Sequence, residues 1–315
     1  MEDFLFSVNA VIPLFILMAV GWILTRLNVW NSDFLKIANT ISFNILIPCN
    51  LFCNIYNANF TEVFDAKLLA FVLITVAVIV GIGFAVVPVL SKKPARQGVI
   101  LQALFRGNFA LLGLPLCEAL AGPEGAQIAS VFLAFLIPAF NILATVILSI
   151  YSDNKPDSIW KILKNIAKNP LIIGCVAGLL FSFTKPYFTL PNIVYKPLSD
   201  LKLVATPFAL LVLGGDFKFR SFVDNIKCVT FTGLTRTVVV PAIAVVFAAL
   251  LGFRGLHIAL IISTFGTPVA VASTAMTYKM NGDYDLACQV VVFTTLCSAF
   301  TITMFAFISR LSGLL

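Results

Sequence analysis

Ten apolar stretches in succession, each close to bilayer-spanning length, constrain this chain more than any other feature. They run over roughly 6–26, 34–55, 67–91, 98–120, 126–151, 169–184, 195–215, 226–251, 256–279 and 285–310. A hydrocarbon core ~30 Å thick needs about 20 helical residues, so runs of this length read as transmembrane helices. The runs are continuous rather than alternating, which points to an all-α integral membrane protein and away from a membrane barrel. With 60% of residues hydrophobic and 11% charged, a soluble fold of this length would have nowhere to bury the excess. The first run starts near Phe4 behind two acidic residues with no basic leader, so it reads as a membrane helix rather than a cleaved signal.

Two of the runs carry residues that do not belong in a plain membrane helix. The fourth contains Arg106-Gly107-Asn108-Phe109-Ala110-Leu111-Leu112-Gly113-Leu114-Pro115, and the ninth contains Thr264-Phe265-Gly266-Thr267-Pro268. Both hold Gly-x-Pro. Glycine weakens a helix and proline removes a backbone N–H, so a break is expected at Gly113–Pro115 and another at Gly266–Pro268. Interrupted helices at matching places in two halves are the best sequence pointer to a transporter's binding site.

The halves resemble each other weakly. Ile47-Pro48-Cys49-Asn50-Leu51 in the second run pairs with Thr206-Pro207-Phe208-Ala209-Leu210 in the seventh, and the prolines lie 159 positions apart. Pro115 and Pro268 lie 153 apart. The long connection from Lys155 to Lys168, with Trp160, Ile162, Leu163 and Ile166 among its lysines, reads as an amphipathic interfacial helix and divides the chain. Residues 1–155 then form one five-helix repeat and 156–315 a second. Because five is odd, the second enters the membrane inverted, with a pseudo-two-fold axis in the membrane plane.

Charge sets the orientation. With the N-terminus outside, thirteen of the twenty-one Lys and Arg residues fall on inside segments and six on outside ones, leaving Arg106 and Arg236 within runs. The positive-inside rule therefore puts both termini outside. The net charge of +7 is strung along short loops, not gathered on one face, so nucleic acid is not an expected partner. Seven scattered cysteines without a Cys-x-x-Cys pair, and the single His257, give no metal site, and no cofactor is expected.

The candidate binding residues follow. Arg106 is either a carboxylate ligand, since a guanidinium matches a carboxylate bidentately, or a structural or snorkelling charge. Arg236 faces the same choice and, with no break beside it, reads as structural. Asn108 and Asn141 are intramembrane amides that can bond a ligand or freed backbone. Asn44, four residues before Pro48, can cap that backbone or face substrate. A half-helix that starts after a break presents free N–H groups and a positive dipole end, an anion site without side-chain charge. Gly113, Pro115, Gly266 and Pro268 shape the breaks, and Thr264, Thr267, Ser273 and Thr274 add hydroxyls, which equally bond local backbone. Glu118 is the one reasonable intramembrane carboxylate for ion coupling. Asp283 and Asp285 read as helix caps. Gly174-x-x-x-Gly178 permits close helix packing, within the chain or between chains.

Enzyme readings fit poorly. Leu213-Gly214-Gly215-Asp216 misses the Gly-x-Gly-Asp spacing of intramembrane aspartyl proteases, and one histidine cannot make His-Glu-x-x-His. A sodium- or proton-coupled symporter and a non-transporting membrane sensor are the alternatives to a simple carrier.

The chain resembles the auxin efflux carrier family, in its short bacterial, malate-permease-like form. The resemblance rests on Arg106-Gly107-Asn108 through Gly113-Leu114-Pro115, on Gly266-Thr267-Pro268-Val269-Ala270, and on Asp283-Tyr284-Asp285-Leu286-Ala287 followed by Thr294-Thr295-Leu296-Cys297-Ser298. It implies ten transmembrane helices as two inverted five-helix repeats whose fourth and ninth helices are broken and cross. It further implies a scaffold of helices 1, 2, 6 and 7, a transport domain of helices 3, 4, 5, 8, 9 and 10, homodimers in the plasma membrane, elevator-type alternating access and small organic anion substrates such as malate-like or auxin-like acids. On that pattern Asn108, Pro115 and Pro268 lie at the substrate site.

Overall fold

A computed structural model describes residues 2–57, 65–152, 159–185 and 189–315. The expected boundary between residues 155 and 156, and Lys155 itself, lie outside the described residues. Thirteen helices account for the regular structure among the described residues. They are α1 (Glu2–Arg26), α2 (Ser32–Tyr56), α3 (Ala66–Leu90), α4 (Pro94–Phe105), α5 (Phe109–Ile150), α6 (Ile159–Lys168), α7 (Pro170–Thr184), α8 (Asn192–Asp216), α9 (Phe219–Asp224), α10 (Ile226–Leu250), α11 (Leu256–Phe265), α12 (Ala272–Lys279) and α13 (Tyr284–Leu311).

Six of these, α2, α3, α5, α8, α10 and α13, are long and apolar enough to cross a membrane. The first expected run falls on α1, and the remaining ones on shorter or interrupted helices. The fourth run is split between α4 and the start of α5, and the ninth between α11 and α12. α5 kinks at Gly122, whose φ of 70° lies in the left-handed region that glycine adopts without strain. That kink separates the end of the fourth run from the fifth.

Burial follows the same logic. Every residue from Gly98 to Phe105 in α4 and from Ile258 to Phe265 in α11 is buried. Helices covered on all sides lie at the centre of a fold. By contrast α3 and α10 turn large apolar side chains outward, with Val89 79% and Leu250 76% exposed, a surface suited to hydrocarbon rather than water. α1 packs along α8, α2 along α7 and α8, α11 along α5, and α13 along α1 and α10. The Gly174-x-x-x-Gly178 pair serves packing inside the chain. A Cβ at Gly174 or Gly178 would come within 2.6 Å of the Pro48 carbonyl or 2.9 Å of the Phe52 carbonyl, both on α2.

The prolines do not act as expected in the first half. Three π-helical turns, Ser42–Leu46, Phe109–Gly113 and Thr235–Val239, each end two residues before a proline: Pro48, Pro115 and Pro241. A proline ring crowds the carbonyl four residues earlier, and one widened turn relieves it without breaking the helix. Gly113-Leu114-Pro115 is therefore helical, and the break lies upstream at Arg106–Asn108. In the second half the break covers 266–271 and does contain Pro268.

Candidate functional site

The two breaks meet. Gly107 and Val269 face each other as an antiparallel bridge. The Asn108 N–H donates to the Pro268 carbonyl at 2.8 Å, and the Ala270 N–H donates to the Arg106 carbonyl at 3.0 Å. Val269 N–H is taken by Thr294 Oγ1 at 3.1 Å. Backbone groups released from two helices thus satisfy each other, as buried polar groups must. Only glycine fits at position 107, since a Cβ there would run into Arg236 Nη2 and lie 2.7 Å from Thr267 Oγ1 and 2.8 Å from the Thr264 carbonyl oxygen.

Arg236, fully buried on α10, holds this junction together. Its Nη2 donates to the carbonyls of Thr264 at 3.1 Å and Thr267 at 3.0 Å, and its Nη1 to that of Leu104 at 3.4 Å. These carbonyls belong to the ends of α4 and α11 and to the second break. Helix C-termini carry unpaired carbonyls and partial negative charge, so a guanidinium satisfies both. The structural reading of Arg236 follows from these contacts.

Arg106 is placed differently. It is 3% exposed and lines a cavity of about 390 Å³ beside the junction. Its Nη2 donates to Asn141 Oδ1 at 2.6 Å, and its Nη1 lies 2.9 Å from Met276 Sδ and 3.4 Å from Gln102 Oε1. No carboxylate comes within 4.0 Å of it among the described residues. A buried guanidinium with only neutral partners is electrostatically incomplete. Asn141 is positioned in turn by donating through Nδ2 to Cys175 Sγ at 3.7 Å.

The same cavity receives the starts of two helices. The N–H groups of Phe109, Ala110 and Leu111 at the head of α5, and of Val271 and Ala272 at the head of α12, have no acceptor among the described residues. All five residues line the cavity. Asn108 also lines it, and its side-chain amide has no partner among the described residues. Unpaired N–H groups, two positive dipole ends and a guanidinium with only neutral partners among the described residues form an environment suited to an anion. The remaining wall is largely apolar, with Ile47, Leu51, Phe109, Ile137 and Phe140.

Of the sequence candidates, the cavity brings together Arg106, Asn108 and Asn141. Pro268 acts through its carbonyl on Asn108, and Gly266, Thr264 and Thr267 support the junction from behind. Thr264 Oγ1 donates to Leu260 O at 2.8 Å and Thr267 Oγ1 to Thr264 O at 3.5 Å, so their hydroxyls serve local backbone. Gly113 packs on α11, where a Cβ would come 2.9 Å from the Ser263 carbonyl oxygen. Pro115 and Glu118 are exposed and do not line the cavity. Asn44 lines a second cavity near the lysine-rich end of the molecule. Asp283 does cap α13, accepting from Leu286 N–H at 3.0 Å, whereas Asp285 pairs with Lys218 at 3.0 Å.

Asn50 and Asn54 on α2, and Lys202 and Thr206 on α8, complete the cavity and were not among the sequence candidates. Asn50 and Asn54 are hydrogen-bonded at 2.8 Å, and their i, i+4 spacing within an apolar run was the available signal. Asn50 and Thr206 both lie in the proline motifs that the two halves share.

Comparison with known proteins agrees with this picture. Residues 6–306 match the family described as membrane transport protein. An uncharacterized transporter of Methanocaldococcus jannaschii is 23% identical over 309 residues, covering 95% of this chain and 98% of its own. An uncharacterized transporter of Methanothermobacter thermautotrophicus is 22% identical over 305 residues, covering 96% of this chain and 98% of its own.

Proposed function

Because the chain belongs to the membrane transport protein family, that of the auxin efflux carriers, and is a transport protein rather than an enzyme, we propose that it is a secondary carrier for small organic anions. The substrates are carboxylates of malate-like or auxin-like type. The observation that carries this reading is Arg106: a buried guanidinium without a carboxylate partner among the described residues, in a cavity that also receives five unpaired backbone N–H groups. A carboxylate entering there would take both guanidinium N–H edges or the helix heads, while the apolar wall would accommodate its carbon skeleton.

The fold reading is ten transmembrane helices in two inverted repeats with crossed broken helices. Its support is an offset: Pro48 and Pro207 lie 159 positions apart, and so do Gly107 and Gly266, which sit in the two breaks. Aligning the breaks rather than Pro115 with Pro268 gives one register for both motifs. Movement is by an elevator-type shift of the junction-bearing helices against a scaffold that includes α2 and α8, and the candidate cavity is lined by both groups. The carrier acts as a homodimer in the plasma membrane, with both termini outside.

Uptake of a panel of labelled mono- and dicarboxylates into proteoliposomes tests the function. At least one acid should be moved by wild-type protein and not by empty vesicles. Transport of a cation or neutral solute with no carboxylate moved at all would discard the anion reading.

A further inference from the structure

A second cavity, of about 360 Å³, opens between α2, the end of α5, α6, the start of α7 and the end of α12. Its composition differs from the first. Lys168, Lys279, Asn165, Asn169, Ser149 and Asn281 supply most of its polar lining. Neither lysine has a carboxylate within 4.0 Å among the described residues. Asn169 is fixed in place: its Oδ1 caps α7 by accepting from Leu171 N–H at 2.9 Å, and its Nδ2 donates to Thr145 Oγ1 at 2.9 Å.

Ser149 is the independent pointer to a ligand. It is 2% exposed, lines this cavity, and its hydroxyl has no hydrogen-bond partner among the described residues. Serines within helices ordinarily return their hydroxyl to the carbonyl one turn back. A buried hydroxyl left unpaired costs free energy unless something else fills that role. Two unpaired ammonium groups, a free hydroxyl and fixed amides together suit a compact oxyanion with several acceptor oxygens, the chemistry of a phosphoryl group.

The neighbouring helix indicates where that group comes from. On α6, Lys161, Lys164 and Lys168 fall along one face, while Trp160 and Leu163, 74% and 48% exposed, fall on another. A helix so divided lies in the interface plane, with its aromatic and aliphatic face in the acyl region and its lysines at headgroup level. Lys168 ends this helix and enters the cavity. We propose that the cavity binds the phosphoryl headgroup of an acidic phospholipid whose chains lie against α6. Basic pockets between helices at the lysine-rich membrane surface bind such headgroups. The bound lipid bridges α2 and α7 to α5 and α12, and three of these, α2, α5 and α12, also line the carrier cavity.

The test uses full-length protein, delipidated in mild detergent and titrated with phosphatidylglycerol, phosphatidylcholine or inorganic phosphate, with bound lipid read by native mass spectrometry and stability by thermal shift. Phosphatidylglycerol should bind and raise the melting temperature, and phosphatidylcholine should not. Lys168→Gln and Lys279→Gln should each weaken phosphatidylglycerol binding about five-fold, and the pair about twenty-five-fold. Lys196→Gln, at a lysine paired with Asp200, should leave it unchanged. Ser149→Ala removes only the unpaired hydroxyl, keeps the test readable if the double variant folds poorly, and should weaken binding about ten-fold. Equal binding of both lipids, or wild-type affinity in the double and Ser149 variants, overturns the site. Inorganic phosphate matching phosphatidylglycerol in stabilisation, and losing that effect in the same variants, overturns the lipid as its source.

Discussion

Replacing Arg106 by methionine separates a ligand-binding charge from a structural one. Methionine keeps most of the apolar volume of the arginine stem and removes the charge. In the ligand-free protein two effects oppose each other. A charge at bilayer depth costs about 2.5–3.5 kcal/mol, and this burden disappears. Asn141 Oδ1 loses its 2.6 Å donor, which costs about 1–3 kcal/mol if it stays unpaired. Gln102 Oε1 also loses its 3.4 Å contact, so the two effects nearly cancel and the apparent melting temperature of the free variant should stay close to that of wild type. Ligand binding should move the other way. Two charge-assisted hydrogen bonds to a carboxylate contribute about 1.5–3 kcal/mol each, so their loss weakens affinity about a hundredfold to ten-thousandfold. The assay is thermal shift on purified protein across a titration of the best carboxylate found in the uptake screen, since a ligand at 100 times its Kd adds about 2.7 kcal/mol of stability. A methionine variant that melts well below wild type yet binds the acid with unchanged affinity would refute this reasoning and assign Arg106 to the fold.

Three further substitutions probe the same region. Asn141→Asp sets a carboxylate against the guanidinium at the 2.6 Å contact, so uptake of acids should fall at least tenfold while the melting temperature holds or rises, both read on one preparation. Arg236→Met strips the donors from the carbonyls of Leu104, Thr264 and Thr267, at about 1–3 kcal/mol each against about 2.5–3.5 kcal/mol of relief from the lost charge, and should on balance lower the melting temperature in a way that added carboxylate does not restore. Gly107→Ala forces a methyl group against Arg236 and the Thr264 carbonyl and should cost about 1–3 kcal/mol, measured by thermal unfolding in detergent, with uptake reduced in parallel.

The sequence made the membrane helices, the two interruptions and three of the cavity side chains legible. Continuous apolar runs cannot be misplaced by much, because the bilayer fixes their length. The first interruption was assigned to the wrong residues for a local reason. Gly-x-Pro reads as a break, but one π-helical turn absorbs Pro115, whereas Arg106–Asn108 opens because its backbone finds partners on Pro268 and Ala270. Those partners are some 160 positions away, beyond any local rule. The same limit hid Lys202 and Thr206, which reach the cavity from α8. Arg236 illustrates the converse: no break accompanies it in its own helix, yet it serves two breaks in others.

The main-chain pairing of Gly107 with Val269 has a consequence for how such a protein can diversify. The joint is closed by peptide groups and braced by Arg236 and Thr294 from outside the lining, so apart from Gly107 it places little demand on the side chains that face the cavity. Asn108, Phe109, Ala270 and Val271 turn toward the cavity from a frame that holds whatever those residues are. Selection can therefore exchange the lining, and with it the cargo, one residue at a time without dismantling the mechanism that carries it.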